Sequence, residues 1–262
     1  MLPEFVELAL PDRVVLVEYQ RIACSLADAP LLIFIHEGLG SVSMWRDFPQ
    51  RICEAGQYRG LVYSRPGYGN STPRAAREKW QPDYLQREAD DVLPALLHAL
   101  DLGQTGYWLF GHSDGASIAL LHAASHRATR GAIVLAPHVF VEQISLDGIK
   151  LTVEKYRTGG LEANLARYHA EPDSPFYGWS DAWLAPAFRD WNIEAQVAQI
   201  RCPLLVMQGE GDEYGTMAQL DRIKAALPHS ELLKLADCGH IPQRDRPQDV
   251  IDATIRFVAA HP

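Results

Sequence analysis

The stretch YWLFGHSDGASIALLHA, residues 107–123, runs from an apolar segment into a turn where two glycines flank one serine, Gly111-His112-Ser113-Asp114-Gly115. The apolar segment reads as a buried strand, and Ile118, Leu121 and His122 follow on a helix. Glycine in a strand-to-helix turn marks a place where a Cβ would clash. A serine between two such glycines is held out on a sharp corner at the carboxyl end of the strand. G-x-S-x-G in this strand–turn–helix context is the pattern of a nucleophile elbow. Ser113 is therefore the candidate nucleophile. The backbone N–H of Asp114, at a helix N-terminus, is a candidate donor to a developing oxyanion.

Working outward, further short apolar runs are bounded by turn residues: VVLVEY (14–19), PLLIFIHEG (30–38), GLVYSRPG (60–67), GAIVLAPH (131–138), PLLVMQGEGD (203–212) and ELLKLADCGH (231–240). Most are continuous rather than alternating, as in strands buried on both faces of a parallel sheet. Helical spacing appears between them, for example Leu85, Ala89, Val92, Leu96 and Leu100, where Pro94 should distort the helix. The fold class expected is α/β, a mostly parallel, doubly wound sheet. Residues 139–199 break the alternation with a stretch rich in Tyr and Trp. They read as a helical cap inserted into a core made of 1–138 and 200–262.

A net charge of −9 and a pI near 5.5 disfavour nucleic acid or an anionic membrane as partner. The N-terminus lacks a basic segment followed by a long apolar one, so no secretion signal is expected. No apolar run approaches the roughly 18 to 20 residues that span a bilayer. Cys24, Cys53, Cys202 and Cys238 show no CxxC pair or metal-ligand spacing, as expected of reduced thiols in a cytoplasmic protein. The expected partner is a small-molecule substrate, bound by a monomer or homodimer, with no metal and no cofactor.

A serine needs a base to take its proton, and the base needs an orienting carboxylate. DCGHIPQRDRP (237–247) offers His240 after the last strand run. MQGEGDEYGT (207–216) offers Asp212, with Glu213 and Glu210 as competitors; the spacing Gly209-x-x-Asp212 favours Asp212. The order Ser113, Asp212, His240 is that of an α/β-hydrolase triad. From about residue 14 to its end, the chain resembles the α/β-hydrolase superfamily.

The resemblance extends to FIHEGLGS (34–41), which sits where that superfamily carries its oxyanion loop. It implies a second backbone donor at Gly38, or otherwise at Leu39. Glu37 departs from the usual glycine; pairing with a nearby arginine such as Arg65 is expected of it, with a role toward substrate as the alternative. YSRPGYGNS (63–71) resembles a turn that braces the site. The Asp114 side chain either binds a substrate hydroxyl or amine, or caps its helix. Leu39, His138, Trp179 and Trp183 are candidates for contact with substrate, and Cys238 for a packed small residue. The activity expected is cofactor-free serine hydrolysis of a small, partly apolar carboxylic ester. A C–C hydrolase of the meta-cleavage type, an amidase or a lactonase would reuse the same site, and a non-hydrolytic ligand receptor the same scaffold.

Overall fold

The computed structural model describes residues 3–26, 28–75, 78–104 and 106–262. Among them are eight strands: β1 (Glu4–Ala9), β2 (Val14–Ile22), β3 (Leu31–Ile35), β4 (Arg59–Tyr63), β5 (Tyr107–His112), β6 (Thr129–Leu135), β7 (Leu204–Gly209) and β8 (Glu231–Leu235). They form one sheet in the order β1-β2-β4-β3-β5-β6-β7-β8. From β4 to β8 the neighbours are parallel; β1 pairs antiparallel with β2, and β2 with β4. The expected α/β sheet is present. β1 adds an antiparallel edge, for which the sequence reading had no strand. Its FVEL alternation keeps Phe5 and Glu7 in solvent while Leu8 is buried, the pattern of an edge strand rather than a central one.

The helices are α1 (Phe48–Gly56), α2 (Tyr84–Arg87), α3 (Leu93–Ala99), α4 (Asp114–Ser125), α5 (Gln143–Arg157), α6 (Gly160–Leu165), α7 (Asp173–Leu184), α8 (Glu194–Val197), α9 (Ala218–Ala226), α10 (Pro242–Asp245) and α11 (Pro247–Ala260). A π-helical turn, Glu88–Val92, joins α2 to α3. It carries the distortion expected from Pro94, so the chain changes its winding before the proline and continues as helix. Among the described residues, no helix is long and apolar enough to cross a membrane.

The continuous apolar runs are explained by burial on both faces. Leu31, Ile33 and Ile35 of β3 join a core with α3, α4 and α9, whereas Leu32 and Phe34 join a second core with α1 and α11. Leu109 against Trp108 and Phe110 in β5, and Leu204 and Val206 against Leu205 and Met207 in β7, divide in the same way. Cys238 is packed into the second core, where burial pushes its thiol up to about 11. Between β6 and β7 the chain makes α5 to α8, and its one β-bridge joins Phe140 to Asn192.

At the β5–α4 junction the strain falls on the serine. Ser113 has φ 53° and ψ −118°, a region costly for a residue with a Cβ. Its N–H donates to the Leu135 carbonyl at 2.9 Å, and its own carbonyl accepts from the N–H groups of Ala116 and Ser117. Gly111 and Gly115 are required by close approach. A Cβ on Gly111 would overlap the backbone of Gly115, and one on Gly115 would overlap the carbonyl of Ile35 at the end of β3.

Gly115→Ala should therefore lower stability by about 1–3 kcal/mol or more, because the obstacle is backbone and cannot rotate away. A urea midpoint within error of the wild type would contradict this packing account.

Candidate active site

Ser113, Asp212 and His240 come from the ends of β5, β7 and β8 and converge. His240 Nε2 lies 2.9 Å from Ser113 Oγ, and His240 Nδ1 lies 2.8 Å from Asp212 Oδ1. Asp212 Oδ1 also accepts from the N–H groups of Tyr214 at 2.8 Å and Gly215 at 3.2 Å. Burial opposes the charge of Asp212, but the bond from His240 and these amides hold its carboxyl below the usual value. Glu213 takes a different place: its Oε2 accepts from the backbone N–H of His240 at 3.1 Å, not from the ring. A neutral His240 that donates from Nδ1 to Asp212 leaves Nε2 free to accept the hydroxyl proton.

Ser113 opens onto a cavity of about 150 Å³ walled also by Gly38, Leu39, Asp114, His138, Trp179, Trp183 and His240. The cavity thus gathers every substrate-contact candidate of the sequence reading, while Asp212 stands behind His240. Tyr214, Ser145, Ile149 and Ile241 line it as well. Tyr214 and Ile241 adjoin Asp212 and His240 in sequence, so proximity could have found them; Ser145 and Ile149 lie on α5 in no motif.

Two backbone donors border the serine. The N–H of Asp114 opens α4, where a helix leaves its first amides without intrahelical acceptors. In the FIHEGLGS loop the N–H of Leu39 donates to Glu37 Oε2 at 3.1 Å, and that of Gly40 to the Glu37 carbonyl at 3.1 Å. The Leu39 amide is thereby occupied, and Gly38 is left as the amide of this loop that lines the cavity without such a bond. A Cβ at Gly38 would overlap the indole of Trp179.

The expected Glu37–Arg65 carboxylate pair is not formed. Arg65 is fully buried; its Nη2 donates to the backbone carbonyl of Glu37 at 3.0 Å, and the carboxylate nearest it is Asp114 Oδ2 at 3.8 Å. Glu37, which lines the cavity, turns its carboxylate back onto its own loop, where burial pushes it up to about 7. The Asp114 side chain neither caps its helix nor stands free. Oδ2 accepts from the Tyr84 hydroxyl at 2.6 Å and Oδ1 from Trp183 Nε1 at 3.1 Å. Burial raises its carboxyl above the usual value despite these donors and Arg65. Trp183 is thus a tie from α7 to the residue after the serine, besides being cavity wall. Tyr84 was missed because no motif surrounds it.

Neutral histidines frame the site. His36 donates from Nδ1 to the Glu37 carbonyl at 2.7 Å while Nε2 accepts from the Arg65 N–H at 3.0 Å. His112 Nε2 donates to the His240 carbonyl at 2.7 Å. His169, beyond α6, accepts the Gly69 N–H on Nδ1 and donates from Nε2 to the Leu39 carbonyl, both at 2.9 Å. His138 is buried between Trp183 and His240, and its Nδ1 has no partner among the described residues. Burial holds all four below the ordinary value, His112 and His138 at about 3. Among the described residues, no three His, Cys, Asp or Glu side chains are gathered as a metal site.

The chain belongs to the alpha/beta hydrolase family, whose model matches residues 32–253. A 2-succinyl-6-hydroxy-2,4-cyclohexadiene-1-carboxylate synthase from Serratia proteamaculans is 27% identical over 154 residues, covering 56% of this chain and 55% of that protein. The synthase of the same name from Yersinia pseudotuberculosis is 25% identical over 219 residues, 81% of this chain and 65% of that one. The chain therefore spans between half and two thirds of the length of these relatives. A thermophilic esterase from Thermogutta terrifontis shares the fold, with a TM-score of 0.74 at 18% identity and 100% of both chains covered.

Trp183→Phe should keep an aromatic wall but leave Asp114 Oδ1 without its indole donor, lowering stability by about 1–3 kcal/mol. A thermal midpoint equal to that of the wild type would show that the tie contributes nothing.

The histidines also set a pH dependence. Unfolded imidazoles take protons near pH 6.5, while these folded ones resist, so their stability is complete above 6.5 and is lost as pH falls towards about 3 for His112 and His138. Glu37 and Glu88, pushed up to about 7 by burial from an ordinary 4.5, act in the opposite sense between those values and offset part of the loss. The urea midpoint should be lower at pH 5 than at pH 7.5. An equal or higher midpoint at pH 5 would show the histidines are not held neutral.

Proposed function

We propose that this member of the alpha/beta hydrolase family cleaves a small, partly apolar carboxylic ester through an acyl-enzyme, with residues 139–199 as a cap over the site. One observation carries the reading: Ser113 Oγ, at the wall of a cavity, is 2.9 Å from His240 Nε2, whose other nitrogen is 2.8 Å from Asp212.

Ser113 attacks the ester carbonyl as His240 takes its proton, a general-base step that contributes about 10²–10⁴ in rate. Asp212 keeps the proton of His240 on Nδ1 and stabilises the imidazolium that forms. The N–H groups of Gly38 and Asp114 hold the oxyanion, each such donor being worth about 10²–10³. His240 then protonates the departing alcohol, and water, activated by the same imidazole, releases the acid.

Two features favour an ester without negative charge. The cavity is small, about 150 Å³, and no Lys or Arg lines it. The synthase relatives are named for a carboxylate product. A carboxylate here would meet Glu37 and Asp114 without a cation to offset them, which argues against carrying that chemistry over.

Ser113→Ala should reduce turnover of short aryl esters by about 10⁴–10⁶ while leaving the thermal midpoint close to wild type. Fluorophosphonate labelling should map to Ser113 and vanish in the variant. Asp212→Asn should lose about 10⁴ through the wrong His240 tautomer. Full activity in Asp212→Asn, with the loss appearing in Glu213→Gln, would reassign the carboxylate; retention of a tenth or more of activity, an allowance of about 1.4 kcal/mol, in Ser113→Ala would end the proposal.

A further inference from the structure

Glu37 stands in the loop that borders Ser113 and belongs to no charge pair among the described residues. Oε2 is engaged by one amide, that of Leu39 at 3.1 Å, and no hydrogen bond to Oε1 is formed among the described residues. Arg65, the nearest candidate cation, is directed at the backbone carbonyl of Glu37 and at Asp114. Glu37 lines the main cavity together with Ser113 and Gly38, and also lines a void of about 30 Å³ with His36, His112 and Gln243. No Lys or Arg lines either space.

We infer that Glu37 recognises the substrate, selecting one that carries a hydrogen-bond donor, an ammonium or a hydroxyl, close to the scissile carbonyl and excluding one that carries a carboxylate there. The inference rests on the reading that this cavity receives the substrate. A carboxylate oxygen without a hydrogen-bond partner, on a residue that lines the cavity, offers a charge-assisted bond to any donor that enters and repels an anion. The other carboxylate of the cavity, Asp114, already has Tyr84, Trp183 and Arg65 around it. Apart from Asp114 the other walls carry no carboxylate, so Glu37 is the carboxylate of this cavity that is open to an incoming donor. The groups that act on Glu37 are Arg65, Asp114 and His240, with His36 and His112 across the small void. Since Glu37 loses its proton near pH 7, its hold on a cation should strengthen from pH 6 to pH 8.

The test is equilibrium binding of benzylamine, benzyl alcohol and benzoate to the wild type and to Glu37→Gln, read by isothermal titration calorimetry. Glutamine keeps an acceptor for the Leu39 amide, so the loop retains its bond. Benzylamine, protonated throughout as lysine is, or benzyl alcohol should bind about tenfold tighter than benzoate, the factor expected of a hydrogen bond to a charged group. The preference should collapse in Glu37→Gln, together with any gain in benzylamine binding between pH 6 and pH 8. A lead for benzylamine identifies an ammonium, and equal binding of benzyl alcohol a hydroxyl. Benzoate binding as tightly as the other two, or a preference that persists in Glu37→Gln and disappears in Asp114→Asn, would overturn the assignment. Fluorophosphonate labelling of the same wild-type preparation separates the two readings. Labelling without charge discrimination removes Glu37 and leaves the hydrolase. Discrimination without labelling removes the hydrolase and leaves Glu37.

Discussion

Everything at this site depends on how closely α4 approaches the end of β3. The absence of a side chain at Gly115 lets the first turn of the helix touch the Ile35 carbonyl, and Gly111 lets the turn fold back on Gly115. The approach drives Ser113 to φ 53°, a strain of about 1–3 kcal/mol that the surrounding hydrogen bonds hold in place. It also brings the loop after β3 beside the serine. Gly38 and Asp114 thus present their amides to the same small space although they lie far apart in sequence. A looser junction would relax the serine and separate the two donors together.

The electrostatics follow from the way three acidic side chains are treated near one cavity. Asp212 receives three N–H donors on one oxygen and is held ionised against its burial. Asp114 receives a hydroxyl and an indole N–H, with a guanidinium at 3.8 Å. Glu37 receives a single amide, and burial dominates its titration. The three therefore serve different ends: an oriented anion, a structural anchor and a carboxylate left open to the cavity. His36 and His169 work the other way, as neutral rings bridging one donor and one acceptor. Each needs one tautomer, and each ties the loop that carries Gly38 to a neighbouring turn.

The helices between β6 and β7 contact the loops that line the cavity. Trp179 rests on Gly38, Trp183 bonds Asp114, and His169 bonds the Leu39 carbonyl. The same side chains, Trp179 and Trp183, wall the cavity and brace the loops that line it.

The sequence alone determined the α/β sheet, the place of Ser113 on its corner and the order of Ser113, Asp212 and His240. These are consequences of short-range demands: continuous apolar runs for doubly buried strands, and glycines where no Cβ fits. It missed β1, whose alternating Phe5 and Glu7 belong to an edge with one solvated face. It favoured Asp212 over Glu213 without giving Glu213 its own place, and it gave Glu37 a partner that it does not have. Only the tertiary structure decided those points, as it did the Leu39 amide's bond to Glu37 and the bonds of Tyr84 and Trp183 to Asp114. The reason is physical. Neighbouring residues dictate backbone conformation, whereas a side chain's partner is chosen by which distant elements pack against it, and Tyr84, Asp114 and Trp183 meet only once α2, α4 and α7 are assembled.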